Sequence, residues 1–404
     1  MKLVHRTHRP RRGRPGPRAL AAALSVALLL VACGSDDPAG DDASADGEQE
    51  DATQATDPDD ATDEATDADE AADTEEADAA PASDVTLTLL THDSFDVSSD
   101  VVAAFTEETG IDLQLAPVGD AGTLVNQAVL TRDAPQGDVL FGVDNTFLSR
   151  ALEADLFVPY RSPELDAVDP RFVLDPEHRV TPIDHGDVCL NYDVAWFEER
   201  DLDVPEELAD LTDPAYAGLL AVQNPATSSP GLSFLLATVE RFGEDGYLDV
   251  WEQLVANDVV VTNGWSEAYY EEFSATGEGD RPLVVSYASS PPAEVYFADP
   301  QPDTAPTGVI EASCFRQIEF AGILAGTPHE EEAQQLIDFL LSPTFQEDVP
   351  LTMFVFPVRE DATLPDVFVE HAVVPDDPLE LDPEVIGEGR ERWVEAWTTT
   401  VLRG

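Results

Sequence analysis

Lysine is almost absent from this chain. Of 404 residues only Lys2 is a lysine, and 20 basic residues face 83 acids for a formal net charge of −63. Such a field repels phosphate backbones and acidic headgroups, so nucleic acid and anionic membrane surfaces are poor partners. Catalytic signatures are missing too. There is no G-x-S-x-G elbow, no Walker-type phosphate loop, no H-E-x-x-H and no dinucleotide glycine fingerprint. His329-Glu330-Glu331-Glu332 is not a zinc-protease motif and reads as the opening of a surface helix. Cysteine is scarce: His185 lies four residues before Cys189, but a full zinc set around Cys189 or Cys314 is lacking.

What is present begins with an export leader. Lys2 and six arginines precede an apolar run over residues 19–32. That run is too short to cross about 30 Å of hydrocarbon as a mature helix. Leu30-Val31-Ala32-Cys33-Gly34 resembles the lipobox of bacterial lipoproteins. The resemblance implies cleavage after residue 32 and lipidation at Cys33, with an ordinary secreted protein or a stray cysteine as the alternatives. Arg11-Arg12 hints at twin-arginine export, but Gly13-Arg14-Pro15 continues that motif poorly. Residues 34–84 hold 21 acids and no Lys, Arg or aromatic residue. A segment of this composition is expected to stay unfolded and extended, reaching roughly 170 Å at about 3.4 Å per residue. It reads as a stalk behind a lipid anchor.

Residues 85–404 are long enough for two lobes with separate cores. They keep 13 arginines and 62 acids, so the folded part is acidic in its own right. The charge would mildly favour a cationic ligand, but it is not itself a site, because salt screens it beyond about 10 Å. Apolar strand patterns at 85–90, 111–117, 138–143, 258–262 and 283–287 alternate with helical ones. One helix is expected around 101–105, ended by Gly110. That order implies an α/β fold on a mostly parallel sheet. Two thiols in an exported domain usually pair, so Cys189 and Cys314 are candidates for a disulfide, with two separate buried thiols as the alternative.

Three segments look like helix starts able to receive an anion: Gly119-Asp120-Ala121, Ser228-Ser229-Pro230-Gly231 and Ser289-Ser290-Pro291-Pro292. Plain capping, which occurs in every α/β protein, is the favoured explanation of each taken singly, with Asp120 as the N-cap of the first. His92 follows the first strand, where open α/β sheets bind ligands. Trp265 and Tyr287 sit at strand ends, and an indole face attracts a cation by roughly 0.5–2 kcal/mol. Both rings could instead be core.

These residues together resemble the thiamine-binding proteins of bacterial ABC importers. The stretches that carry the likeness are Thr91-His92-Asp93-Ser94-Phe95, Gly142-Val143-Asp144-Asn145, Thr227 to Leu232, Asn263-Gly264-Trp265-Ser266-Glu267-Ala268-Tyr269, 283–287 and Ser342-Pro343-Thr344-Phe345-Gln346. The resemblance implies a two-lobe periplasmic-binding-protein-like fold with two hinge crossover strands and a ligand cleft between the lobes. It gives lobe 1 as 85–187 plus 316–404 and lobe 2 as 188–315. It implies that Asp120, Ala121, His92 and Asp144 from the first lobe hold ligand, with Ser228, Trp265, Tyr287, Ala288, Ser289 and Ser290 from the second. The ligand implied is thiamine, its monophosphate or its pyrophosphate, with no resident cofactor. A monomer is implied, docking on an ABC permease. The stretches around Cys189 and Cys314 match the crossovers, which implies that the disulfide forms there. His92 and Phe354 depart from the family pattern of Tyr and Trp.

Two other functions compete. A ferric-ion receptor of the same fold would use the pair Tyr269-Tyr270, although Tyr270, next along a helix, is expected to point elsewhere. A surface hydrolase would need His92 to serve Ser94 as base.

Overall fold

A computed structural model of the chain describes residues 84–276 and 279–404. The leader, Cys33 and the acidic stretch up to residue 83 lie outside the described residues. Alternation places Leu87 and Leu89 of β1 (Thr86–Thr91) in the core. Val101 and Phe105, four residues apart on the helix Ser99–Thr109, enter the same core, and Gly110 ends that helix. The further strands are β2 (Asp112–Pro117), β3 (Val139–Asp144), β4 (Thr181–Asp193), β5 (Leu220–Gln223), β6 (Val260–Thr262), β7 (Leu283–Tyr287), β8 (Thr307–Ile323) and β9 (Phe356–Pro357). The expected strands all form, within about two residues of their anticipated ends.

Among the described residues these strands form one sheet in the order β2-β1-β3-β8-β4-β7-β5-β6, with β9 added beside β4. Its two ends are parallel: β1 with β2 and β3, and β5 with β6 and β7. Its centre is not, which corrects the expectation of a mostly parallel sheet. Both long strands run antiparallel to each other and to their outer neighbours, β3 beside β8 and β7 beside β4. β4 and β8 are long because each serves two half-sheets. β8 pairs with β3 near its C-terminal end, while β4 pairs with β7 through Val188 to Tyr192. They are the two connecting strands of a two-lobe α/β fold.

The β4–β8 register slips between Val188 and Leu190, which face Phe315 and Ile310. Cys189 sits in the slip and is disulfide-bonded to Cys314, with Cα atoms 4.1 Å apart. Ser313 stabilises the bulge, accepting from Leu190 N at 2.8 Å and donating to Ile310 O at 2.6 Å. One step along, Arg316 Nε donates to Asp187 Oδ1 at 2.6 Å across the strands. The helix Pro383–Trp397 touches both sides of the molecule. Arg150 reaches Glu391 at 3.6 Å, while Trp397 packs edge-on to Trp251 with centroids 5.4 Å apart. Residues near the C-terminus therefore bridge the sequence-based lobe ranges. No helix among the described residues is long and apolar enough to cross a membrane.

Candidate functional site

A cavity of about 450 Å³ opens where the loops after β1, β2, β6 and β7 meet β8. His92, Asp120, Ala121, Trp265, Tyr287 and Ser290 line it, six of the ten residues singled out from sequence. The other four stand behind the wall. Ser228 is buried and caps the helix Ser229–Phe242, accepting from Gly231 N. Ala288 packs on the Cys189–Cys314 bridge. Ser289 is buried without a hydrogen-bond partner. Asp144, at the end of β3, accepts from Thr146, Ser229 and Gln317 side chains.

Aromatic residues form one wall. Trp265 stacks on Tyr269 with centroids 4.8 Å apart and planes 17° apart, and Tyr270 meets the indole edge-on at 5.4 Å. The indole Nε1 donates to Ser286 Oγ at 2.9 Å, which in turn bonds Ser290 Oγ at 2.8 Å. With one face on Tyr269 and its edge tethered, Trp265 turns its remaining surface to the cavity, where Tyr287 is 6.4 Å away. Tyr270 does not point elsewhere as expected. The turn Ala268–Glu272 is π-helical and so wider than an α-helical one, and both tyrosine rings lie against Trp265 and in the cavity wall.

Carboxylates form the other wall. Asp120 was expected to cap the helix Ala121–Leu130, yet its side chain makes no capping bond. It instead reaches across the cleft, accepting from Ser229 N at 3.1 Å and Trp265 N at 2.9 Å. Burial pushes its pKa up to about 6, and the two backbone donors oppose that rise. The same segment closes the cleft by backbone contact. Thr123 N donates to Thr227 O at 3.1 Å, and a Cβ at Gly122 would lie 2.6 Å from that oxygen. Only glycine permits so close an approach.

His92 Nε2 lies 3.4 Å from Glu319 Oε1. Burial disfavours the charged ring, but Glu319, helped by Asp120 and Asp93, raises the His92 pKa overall. Gly142, with φ 114°, gives this imidazole room, since a Cβ there would sit 2.8 Å from His92 Cδ2. Ser94 bonds Ser266 at 3.2 Å, while His92 turns to Glu319, so no Ser–His pair forms. Glu319, Gln317 and Glu294 line the cavity without having been singled out. The clue was present: Glu319 stands between Ile318 and Phe320 in an apolar run. The two departures from the family pattern, His92 and Phe354, both face the cavity. No cluster of His, Cys, Asp or Glu able to hold a metal ion exists among the described residues.

Comparison with known proteins agrees with this architecture. Residues 135–376 match the bacterial extracellular solute-binding protein family. The thiamine-binding periplasmic protein of Escherichia coli (strain K12) is 30% identical over 321 residues, covering 78% of this chain and 94% of that protein. A solved structure titled periplasmic thiamin binding protein superimposes with a TM-score of 0.68 at 28% identity, over 78% of this chain and 96% of that one. Iron-bound HitA from Pseudomonas aeruginosa shares the fold alone, with a TM-score of 0.63 at 22% identity, over 78% of this chain and 99% of that one. The chain belongs to the bacterial extracellular solute-binding proteins, two-lobe receptors that work outside the cytoplasm.

Proposed function

We propose that this receptor captures thiamine or its phosphates and delivers them to an ABC permease, tethered to the membrane by lipid on Cys33. The observation that carries the reading is the cavity itself. An indole held by Tyr269 and Ser286 shares the cavity with the buried carboxylates Asp120 and Glu319. Thiamine joins a cationic thiazolium to a flat aminopyrimidine, so it needs both a negative partner and aromatic faces. Trp265 and Tyr287 supply the faces, and Asp120 and Glu319 supply the charge. Closure of the lobes around the guest would exclude water and strengthen both interactions.

The ferric alternative is less well supported. Tyr269, half of the tyrosine pair, donates its hydroxyl to Glu294 at 3.0 Å and stacks on Trp265. Isothermal titration with thiamine, ferric ion and spermidine separates the readings. Saturable heat and quenching of tryptophan fluorescence by thiamine alone are expected. A coloured protein that loads iron and ignores thiamine would refute the proposal.

A further inference from the structure

Resting on the thiamine reading, we infer that Gln317 determines specificity: its side-chain carbonyl accepts a hydrogen bond from the amino group on the guest's pyrimidine ring. Gln317 stands on β8 and lines the cavity. A glutamine amide has one end that only accepts and one that only donates, so its role in a wall depends on which end is turned inward. Here the neighbours decide. Nε2 donates to Asp144 Oδ2 at 3.2 Å and to Ser229 Oγ at 2.6 Å. Reversing the amide would set Oε1 against a carboxylate oxygen and lose both bonds.

The Asp144 carboxylate is itself held. Its Oδ1 accepts from Thr146 N, Thr146 Oγ1 and Phe147 N, which leaves Oδ2 for Ser229 and Gln317. Asp144 is fully buried behind the wall and acts through Gln317 as a positioning residue. Tyr287 agrees with this orientation. Burial lifts its phenol well above the usual range, and the Gln317 amide opposes that rise, as an N–H donor beside a phenol oxygen does. The nitrogen end thus meets the oxygens of Asp144, Ser229 and Tyr287, and among the described residues no donor reaches Oε1. Other acceptors of the wall are committed: Asp120 takes two amides, Glu319 lies 3.4 Å from His92, and Ser290 bonds Ser286. Gln317 Oε1 remains as a neutral acceptor for a guest N–H. A ring carbonyl in place of the guest's amino group would oppose two acceptors and leave both unpaired.

Titration calorimetry of the exported chain with thiamine and with oxythiamine, in which a carbonyl oxygen replaces that amino group, tests this. Thiamine should bind at least about 10-fold more tightly. Gln317→Met, which keeps the length but has no carbonyl, should shrink that ratio at least about fivefold. Asp144→Asn, which can offer either an oxygen or an amide nitrogen, lets the Gln317 amide turn and should shrink the ratio at least about threefold. Both guests carry the same thiazolium, so a general loss of packing or charge weakens both alike and leaves the ratio unmoved. Equal affinity for the two guests in the wild type overturns the inference and leaves the thiamine reading standing. An unchanged ratio in folded Gln317→Met overturns the role of Gln317, and one in folded Asp144→Asn overturns its orientation by Asp144. If thiamine itself produces no binding, the ligand reading falls and this inference with it.

Discussion

Asp120→Asn separates two contributions of one carboxylate. Burial lifts the Asp120 pKa from 3.8 to about 6. At 1.36 kcal/mol per pH unit, the ionised group weakens the folded state by about 3 kcal/mol at pH 7. Asparagine removes that penalty. It also loses one of the two accepted bonds, because its amide nitrogen cannot accept from the second backbone N–H, at a cost of about 1.5–3 kcal/mol. The two changes nearly cancel, so the melting temperature should move by only a few degrees. Affinity should not be spared. Losing a desolvated partner to a cation costs about 2–4 kcal/mol, a roughly 30- to 900-fold rise in the Kd for thiamine.

The pH dependence carries a definite sign. A carboxyl whose folded pKa is raised contributes stability that is fully present below about 3.8 and is lost as pH rises through about 6. Cation binding runs the other way, since it needs the ionised form. Wild-type affinity should fall by up to about tenfold per pH unit below about 6, and the Asp120→Asn profile from pH 7 to 5 should be flatter. Calorimetric titration and melting on both proteins check this. Affinity within threefold of wild type at pH 7.5 would refute the reasoning.

Trp265→Ala should weaken thiamine binding by about 2 kcal/mol or more, at least 30-fold, and Trp265→Phe by less, because a ring remains. Equal affinity in Trp265→Ala, measured by titration calorimetry, would count against the aromatic wall. Gly122→Ala puts a Cβ 2.6 Å from Thr227 O and 2.7 Å from Phe147 Cζ. Overpacking of about 1–3 kcal/mol should hold the cleft apart and weaken binding roughly 5- to 150-fold. Small-angle scattering with ligand should then give a larger radius than wild type, and an identical radius and affinity would contradict the close backbone approach. Replacing Cys189 and Cys314 by serine opens a crosslink between residues 125 apart in sequence. Stability in urea should drop by roughly 2–5 kcal/mol, and an unchanged midpoint would mean that the bond contributes nothing in solution.

The strands and the family were legible because they rest on local pattern. Residues 85–90, 258–262 and 283–287 read as strands from apolar runs alone, with Trp265 just after the second and Tyr287 at the end of the third. Groups defined by pairing between distant segments were hidden. Glu319 and Asp184 meet because β4 and β8 align, and no local spacing encodes that register. Asp120 shows how a correct local signal misleads. It stands at an N-cap position, yet two amides across the cleft are better partners for a buried charge than its own helix start. Tyr270 was misjudged because a helix of ordinary pitch was assumed where the chain widens by one residue per turn. The antiparallel centre of the sheet follows from strands shared between lobes, which alternating strand and helix patterns cannot reveal.

The C-terminal helix fastens the rear of the molecule like a strap. Its grip on the side opposite Arg150 is made by Trp397 against Trp251 and by Arg392, which meets Glu244 at 2.5 Å on the surface. Neither Trp393 nor Trp397 commits its indole nitrogen to a hydrogen bond. The buried part of the grip is therefore ring packing without directional bonds, which tolerates small shifts, and the directional part is the Arg392–Glu244 pair at the surface. None of Trp251, Arg392 and Trp397 lines the cavity, so this fastening can be altered without touching a residue of the cavity wall.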